Sequence, residues 1–411
     1  MTAADDFSYG TMPSNELAKD SIEKIDQLHW TLSQTLDDIG HKAFPPEARK
    51  RFTRMFTTGD LEKLLGVPES SFRSSSIKSE GPQPERMANR RRVYSLEQVW
   101  ELREFLAEKR PKDALRFLPH RREGEHTQII AAVNFKGGSS KTTTSLHLSH
   151  YLALQGYRVL AVDLDPQASL TTTFGLFPDK DVSYADTIYS VITYNGEKRP
   201  IEEVIRKTYF TGLDLIPSNL IVQEFEFETP QALTSKVHDP YGYFYERLDN
   251  AFSEVSDRYD VIVIDTAPTL GYLTLSALFA ATGLIITVHP AMMDIASCSQ
   301  FLKMMSDTAK VLTDRGGKFD HDFIRFLLTR YDPNDHPQIK TASLMRTLFQ
   351  DDVLMKEALE STAIAGAGIA KKSLYETESG EVGREPLRRA LESMDAVNDE
   401  ILKLIHQQWG R

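Results

Sequence analysis

The apolar stretch Ile129 to Val133 runs directly into Asn134-Phe135-Lys136-Gly137-Gly138-Ser139-Ser140-Lys141-Thr142-Thr143, and a helical pattern follows. Strand, small-residue loop and helix in that order read as a phosphate-binding loop, which places the chain among nucleotide-binding α/β folds. Small residues let backbone N–H groups curl around phosphate oxygens at a helix N-terminus. On this reading Gly137, Gly138, Ser139, Ser140 and Thr143 shape the cradle, Lys141 adds positive charge, and the Thr142 hydroxyl reaches Mg²⁺. The common pattern G-x-x-x-x-G-K-[ST] is not met, because Phe135 and Ser140 stand at its glycine positions. A second lysine, Lys136, instead lies five residues before Lys141.

Further strand-length apolar runs occur at 158–163, 213–217, 259–265, 284–289 and 323–329, separated by helical patterning. This alternation predicts a mostly parallel, doubly wound sheet covered by helices on both faces, with active groups at the carboxyl ends of strands. At 411 residues and 41% hydrophobic content, the chain has room for two or three domains and a large core. Its one cysteine, Cys298, excludes a disulfide framework within the chain and fits a reducing cytoplasm. The acidic, polar start Met1 to Tyr9 is unlike a signal peptide, and no apolar run suits a membrane helix, so a soluble, cytoplasmic protein without membrane partners is expected. Net charge is −11, so any affinity for DNA must rest on local patches.

Two apolar runs end in carboxylates. Val159-Leu160-Ala161-Val162-Asp163-Leu164-Asp165-Pro166-Gln167 places a pair at one strand end, and Tyr259 to Pro268 presents Asp265 after four aliphatic residues. Buried strands finish this way where the carboxylates meet a cation, water or a positive dipole. Asp265, with Thr142, is therefore a candidate for the Mg²⁺ site. A third run leaves its strand through Tyr331-Asp332-Pro333.

The N-terminal third has a different grammar. Ser14 can cap a helix whose Ile22, Ile25, Leu28, Leu32, Leu36 and Ile39 recur at three and four; packing on the adjacent domain and dimerisation both explain that stripe. Leu61, Leu64 and Leu65, then Gly66 and Pro68, read as a helix, a left-handed stop and the start of a second helix that exposes Ser70, Ser71 and Arg73. This is helix-turn-helix grammar suited to a major groove. Arg90, Arg91 and Arg92, with Arg86, suit a wing touching phosphate, and Ser95 with Gln98 predicts a capping box for the next helix. The expected domains are residues 1–44 (N-terminal helix), 45–108 (α-helical winged helix-turn-helix), 109–126 (linker) and 127–411 (nucleotide domain).

The form K-G-G-x-x-K-T-T resembles the deviant Walker motif of the ParA/MinD family, with Lys136 as the residue carrying the likeness. D-x-D-P-Q at Asp163 to Gln167 is similar to the corresponding ParA motif, and 56–99 resembles MerR-type winged helix-turn-helix domains. The whole arrangement resembles the larger ParA proteins of plasmid partition, including those of repABC-type replicons. The resemblance implies a Mg²⁺-dependent ATPase cycling between ATP and ADP, in which Lys136 reaches across a homodimer and Asp165 orients the attacking water. Asp163 would lie near the Mg²⁺ shell, while Tyr331 and Pro333 would border the adenine. It further implies non-specific binding of chromosomal DNA, with Lys371 and Lys372 in the segment that contacts DNA, and hence nucleoid association. A ParB-like centromere-binding partner and autorepression through specific operator DNA complete the implied picture. A MinD-like membrane-cycling ATPase and a nucleotide-responsive repressor without transport are the alternatives; against the first, the last helix carries Glu392, Asp395, Asp399 and Glu400 on its polar face.

Overall fold

The computed structural model describes residues 21–43, 52–73, 77, 80–86, 91–196, 198–234 and 242–411. The chain divides into two compact units, 1–50 and 51–411. In the first, the helix Ser21–Ala43 leaves Ile22, Ile25, Leu28 and Leu32 of the apolar stripe exposed. Ser14 and the side chains of Leu36 and Ile39 lie outside the described residues.

The second unit opens with a small antiparallel sheet of order β1-β3-β2, made of β1 (Phe56–Thr57), β2 (Glu85–Arg86) and β3 (Arg92–Tyr94). The helix Thr58–Leu65 is capped by Thr57 and Asp60, which bond each other's backbone N–H, and it stops at Gly66 in the left-handed conformation (φ 62°). After Pro68, where the sequence reading expects a second helix, the chain makes a 3₁₀ segment, Glu69–Arg73; beyond it Ile77 and Glu80 are helical, and Gly81 N–H donates to the Ile77 carbonyl (3.1 Å). The expected capping box of Ser95 and Gln98 is present at the head of the helix Leu96–Lys109. Leu61, Leu65, Val67, Phe72, Val99 and Leu102 are buried in a core continuous with that of the nucleotide domain.

The stretch 109–126 is firmly held. Phe117 is buried, Trp409 Nε1 donates to the His126 carbonyl (2.8 Å), and Arg411 donates to the carbonyls of Pro119 (3.2 Å) and His120 (2.8 Å).

Beyond it, the predicted α/β sheet is present. Its strands are β4 (Gln128–Val133), β5 (Val159–Asp163), β6 (Arg206–Lys207), β7 (Leu213–Ile216), β8 (Val261–Asp265), β9 (Gly283–Val288), β10 (Phe323–Tyr331) and β11 (Ala358–Leu359). Their order is β11-β10-β9-β4-β8-β5-β7-β6, and only β6 runs antiparallel to its neighbour. Alternate residues of one strand enter opposite cores, as a pleated strand buried on both faces requires. Ile130 joins Leu148, Leu152, Val397 and Ile401 on one side, while Ile129, Ala131 and Val133 join Leu248, Leu278 and Phe301 on the other. The helices Lys141–Gln155 and Arg384–Gln408 thus cover one face, and Arg247–Val255, Tyr272–Ala280 and Met292–Thr313 the other.

Candidate nucleotide and metal site

β8 lies between β4 and β5, with Asp265 in register with Ala132 on one side and Asp163 on the other. Three neighbouring strands therefore deliver the loop 134–140, Asp265 and the Asp163–Asp165 pair to one end of the sheet. The loop bends through two left-handed residues, Gly138 (φ 75°) and Ser140 (φ 73°). Left-handed backbone is strained for serine, and such strain persists where surrounding structure enforces it. The enforcing contacts are visible: the buried Ser139 hydroxyl meets Thr287 Oγ1 (3.1 Å), its carbonyl accepts from Thr329 (3.1 Å), and Asn134 Nδ2 donates to the Thr287 carbonyl (2.6 Å). A Cβ built on Gly137 or Gly138 would meet nothing within 4 Å, so the cradle they form is open.

Lys141 is 6% exposed at the head of its helix. Burial pulls its ammonium below the ordinary lysine value, and the carboxylates of Asp265 and Asp165 oppose that shift. Asp265 is fully buried and lifted well above the usual carboxylate range, by burial first and then by Asp163, against the Thr142 hydroxyl and Lys141. Its Oδ2 has no well-formed hydrogen bond among the described residues. A buried orphan carboxylate oxygen beside a threonine hydroxyl is a place that a hard, oxygen-seeking cation such as Mg²⁺ would satisfy. Asp163 is engaged differently: Oδ2 accepts from Thr171 N (2.8 Å) and Oγ1 (2.7 Å), and Oδ1 from Asp165 N (3.1 Å). Burial pushes it up to about 7 despite these bonds. Asp165 accepts from Gln167 N (2.9 Å) and is raised by burial, with Lys141 pulling the other way.

Lys136 points elsewhere. Its ammonium pairs with Asp294 (2.7 Å) in the first turn of the helix Met292–Thr313, while its N–H is held by Asn134 Oδ1 (3.0 Å). Thr143, half-buried, gives its carbonyl to His147 Nδ1 (2.7 Å). Tyr331 is half-buried at the end of β10, and Pro333 is exposed just beyond it.

The candidate DNA-contacting residues are scattered. Ser70 is exposed and Ser71 half-buried; Arg91 is exposed, and Arg92 donates to the Phe72 carbonyl (3.4 Å). The Arg73 side chain and all of Arg90 lie outside the described residues. Lys371 extends over the Phe177 ring (4.7 Å), and Lys372 pairs with Glu381. Sequence reasoning missed Thr171, Thr287, Asp294 and Glu226, which orient the carboxylates, the loop, Lys136 and the helix after Asp265, because each acts through a tertiary contact with no local motif.

Strand, loop, helix and the carboxylate-bearing strands beside them define a P-loop nucleotide-binding protein. The AAA domain model AAA_31 matches residues 127–315. A putative replication protein A from Sinorhizobium fredii is 45% identical over 92% of this chain and 93% of its own length. Protein SopA from Escherichia coli is 32% identical over 89% of this chain and 92% of its own. A ParA family protein from Chlamydia trachomatis is 31% identical over 68% of this chain and 98% of its own length, and the chain belongs to the ParA family. Among solved structures, a partition protein superposes with a TM-score of 0.66 over 95% of this chain and 100% of that one, at 18% identity, which shows a shared fold. Cobyrinic acid a,c-diamide synthase from Mycobacterium smegmatis, solved with an ATP analogue and magnesium, superposes at 0.54 over 69% of this chain and 97% of its own, with 25% identity.

Proposed function

We propose that this chain is a ParA-like partition ATPase that binds ATP or ADP with Mg²⁺ and hydrolyses ATP to ADP and phosphate. Its ATP-bound homodimer binds chromosomal DNA without sequence preference and segregates a replicon with a ParB-like partner in the cytoplasm, on the nucleoid. The N-terminal helix-turn-helix region, through Ser70, Ser71, Arg73 and the arginines 90–92, represses the chain's own operon. The observation that carries the reading is the split between the two loop lysines: Lys141 is buried facing Asp265 and Asp165, whereas Lys136 is directed out of that cluster. A catalytic loop needs one lysine for its own phosphates; a second aimed away is suited to another subunit's.

In this mechanism the loop N–H groups and Lys141 bind and orient the phosphates, and Thr143 continues the cradle into the helix. Thr142 would hold Mg²⁺, with Asp265 and Asp163 reaching it through bound water, and the ion would supply neutralisation of phosphate charge. Asp165 holds the attacking water, oriented by the bond it accepts from Gln167 N. Tyr331 and Pro333 border the base, and Lys371 and Lys372 serve the non-specific DNA surface.

Lys141→Ala weakens ATP binding about 10- to 150-fold, the worth of one charge-assisted hydrogen bond. Lys136→Ala keeps ATP binding by the monomer and loses ATP-dependent dimerisation and turnover. Titration calorimetry with sedimentation separates the two. Equal loss of nucleotide affinity in both variants would refute the division of labour.

A further inference from the structure

We propose that Asp294 is a latch that holds Lys136 on its own subunit and must let go before the lysine can serve a second copy of this chain. The inference deepens the ATPase reading above and rests on it.

The two ends of this ion pair are unequally placed. The Asp294 side chain is 11% exposed and that of Lys136 is 42% exposed, with 2.7 Å between Nζ and Oδ1. Asp294 is the third residue of the 22-residue helix Met292–Thr313, where the N-terminal partial charge favours an anion and fixes the carboxylate. The lysine's backbone is fixed as well. Its N–H is bonded to Asn134, which is tied to Thr287, and the neighbouring Phe135 ring packs on Phe301 of the same helix at 5.8 Å. The part left to move is the solvent-facing lysine stem, which exchanges one staggered arrangement for another on a nanosecond scale.

The pair lies at the rim of the site, beside Met292 and Met293, which are 61% and 79% exposed. A partner copy arriving there with a polyphosphate offers the ammonium several anionic oxygens in place of one carboxylate. The lysine must therefore leave a cis anion to gain a trans one, and the cis pair reduces the population competent to dimerise. A partly exposed ion pair holds its partner by a factor of about two to five. Each dimer contains two such latches, so together they weaken dimerisation by about four- to 25-fold.

The test is ATP-dependent dimerisation of Asp294→Asn in the full chain, followed by sedimentation across a protein dilution series with Mg²⁺ and a slowly hydrolysed ATP analogue. The expected result is a dimer dissociation constant about four- to 25-fold lower than wild type, with ATP affinity of the monomer unchanged. Basal turnover at limiting protein rises in parallel. Asp294→Glu, which keeps the charge, returns towards wild type; a purely structural role for the helix end would make the Asn variant dimerise more weakly, not more tightly. Should the Asn variant fold poorly, Asp294→Ser keeps a hydrogen-bonding helix start and answers the same question. An unchanged or weakened dimer in folded variants, beside a wild type that dimerises with ATP, overturns the latch alone. A wild type that fails to dimerise with ATP overturns the latch together with the reading beneath it.

Discussion

Arg103 is 1% exposed within the helix Leu96–Lys109, and its partners are carbonyls rather than a carboxylate. Nη1 donates to Phe117 O (2.9 Å), and Nη2 donates to Leu154 O (2.5 Å) and, more weakly, to Leu64 O (3.4 Å). Leu154 belongs to the last turn of the phosphate-loop helix, whose carbonyl end attracts a cation. A Cβ on Gly156, which ends that helix at φ 95°, would stand 3.0–3.1 Å from the guanidinium, so the fork lies tight against the turn. Burial pulls Arg103 down to about 10, with Tyr157 opposing, and it stays charged at neutral pH. Arg103→Met keeps most of the stem's volume and leaves two well-bonded buried carbonyls unpaired, at about 1–3 kcal/mol each. Relief of a buried charge offsets part of this loss, so the net cost is about 2–4 kcal/mol. Arg103→Lys is no rescue, because a single ammonium cannot fork to carbonyls on three separate segments. Equilibrium urea denaturation should show the midpoint falling in both variants, with a shallower slope if residues 52–117 loosen first. A loss under about 1 kcal/mol with an unchanged slope would refute the assignment of Arg103 as the staple between the N-terminal fold and the phosphate-loop helix.

Two further outcomes follow from the carboxylates. Because Asp163 is raised from 3.8 to about 7, the native state keeps a proton that the unfolded chain has lost between those values. Stability from this group is therefore full below about pH 4 and falls as pH rises to about 7; Asp163→Asn should reduce that fall, and parallel urea midpoints from pH 5 to 8 in both proteins would contradict it. Glu226 accepts from Tyr272 N (2.7 Å) and Leu273 N (2.9 Å), capping the helix that follows the Asp265 segment. Glu226→Ala should cost about 1–2 kcal/mol in urea denaturation and Glu226→Gln about half of that, and an undiminished Ala variant would show the cap to be idle.

What could be read from the chain follows the range of the forces involved. β4, β5, β8 and β9 are continuous apolar runs because both faces of the sheet are covered, and the caps at Gly66 and Ser95 are bonds within a few residues, so both classes leave a local imprint. β6 and β11 have two residues each, too short for any period, and exist because a neighbouring strand offers them free backbone groups. The site divides in the same way. Lys141, Thr142 and Asp265 are legible because a phosphate loop and a metal-facing strand end demand particular residues at particular spacings. Asp294 and Arg103 carry no such demand: each is a charged residue in a helix that composition alone would assign to a solvated face. Their roles come from partners 158 and 51 positions away in sequence, Lys136 and Leu154. A charge that meets its partner only after folding is invisible to periodicity, whether it lies at the phosphate loop, as Asp294 does, or at the far end of the helix that follows it, as Arg103 does.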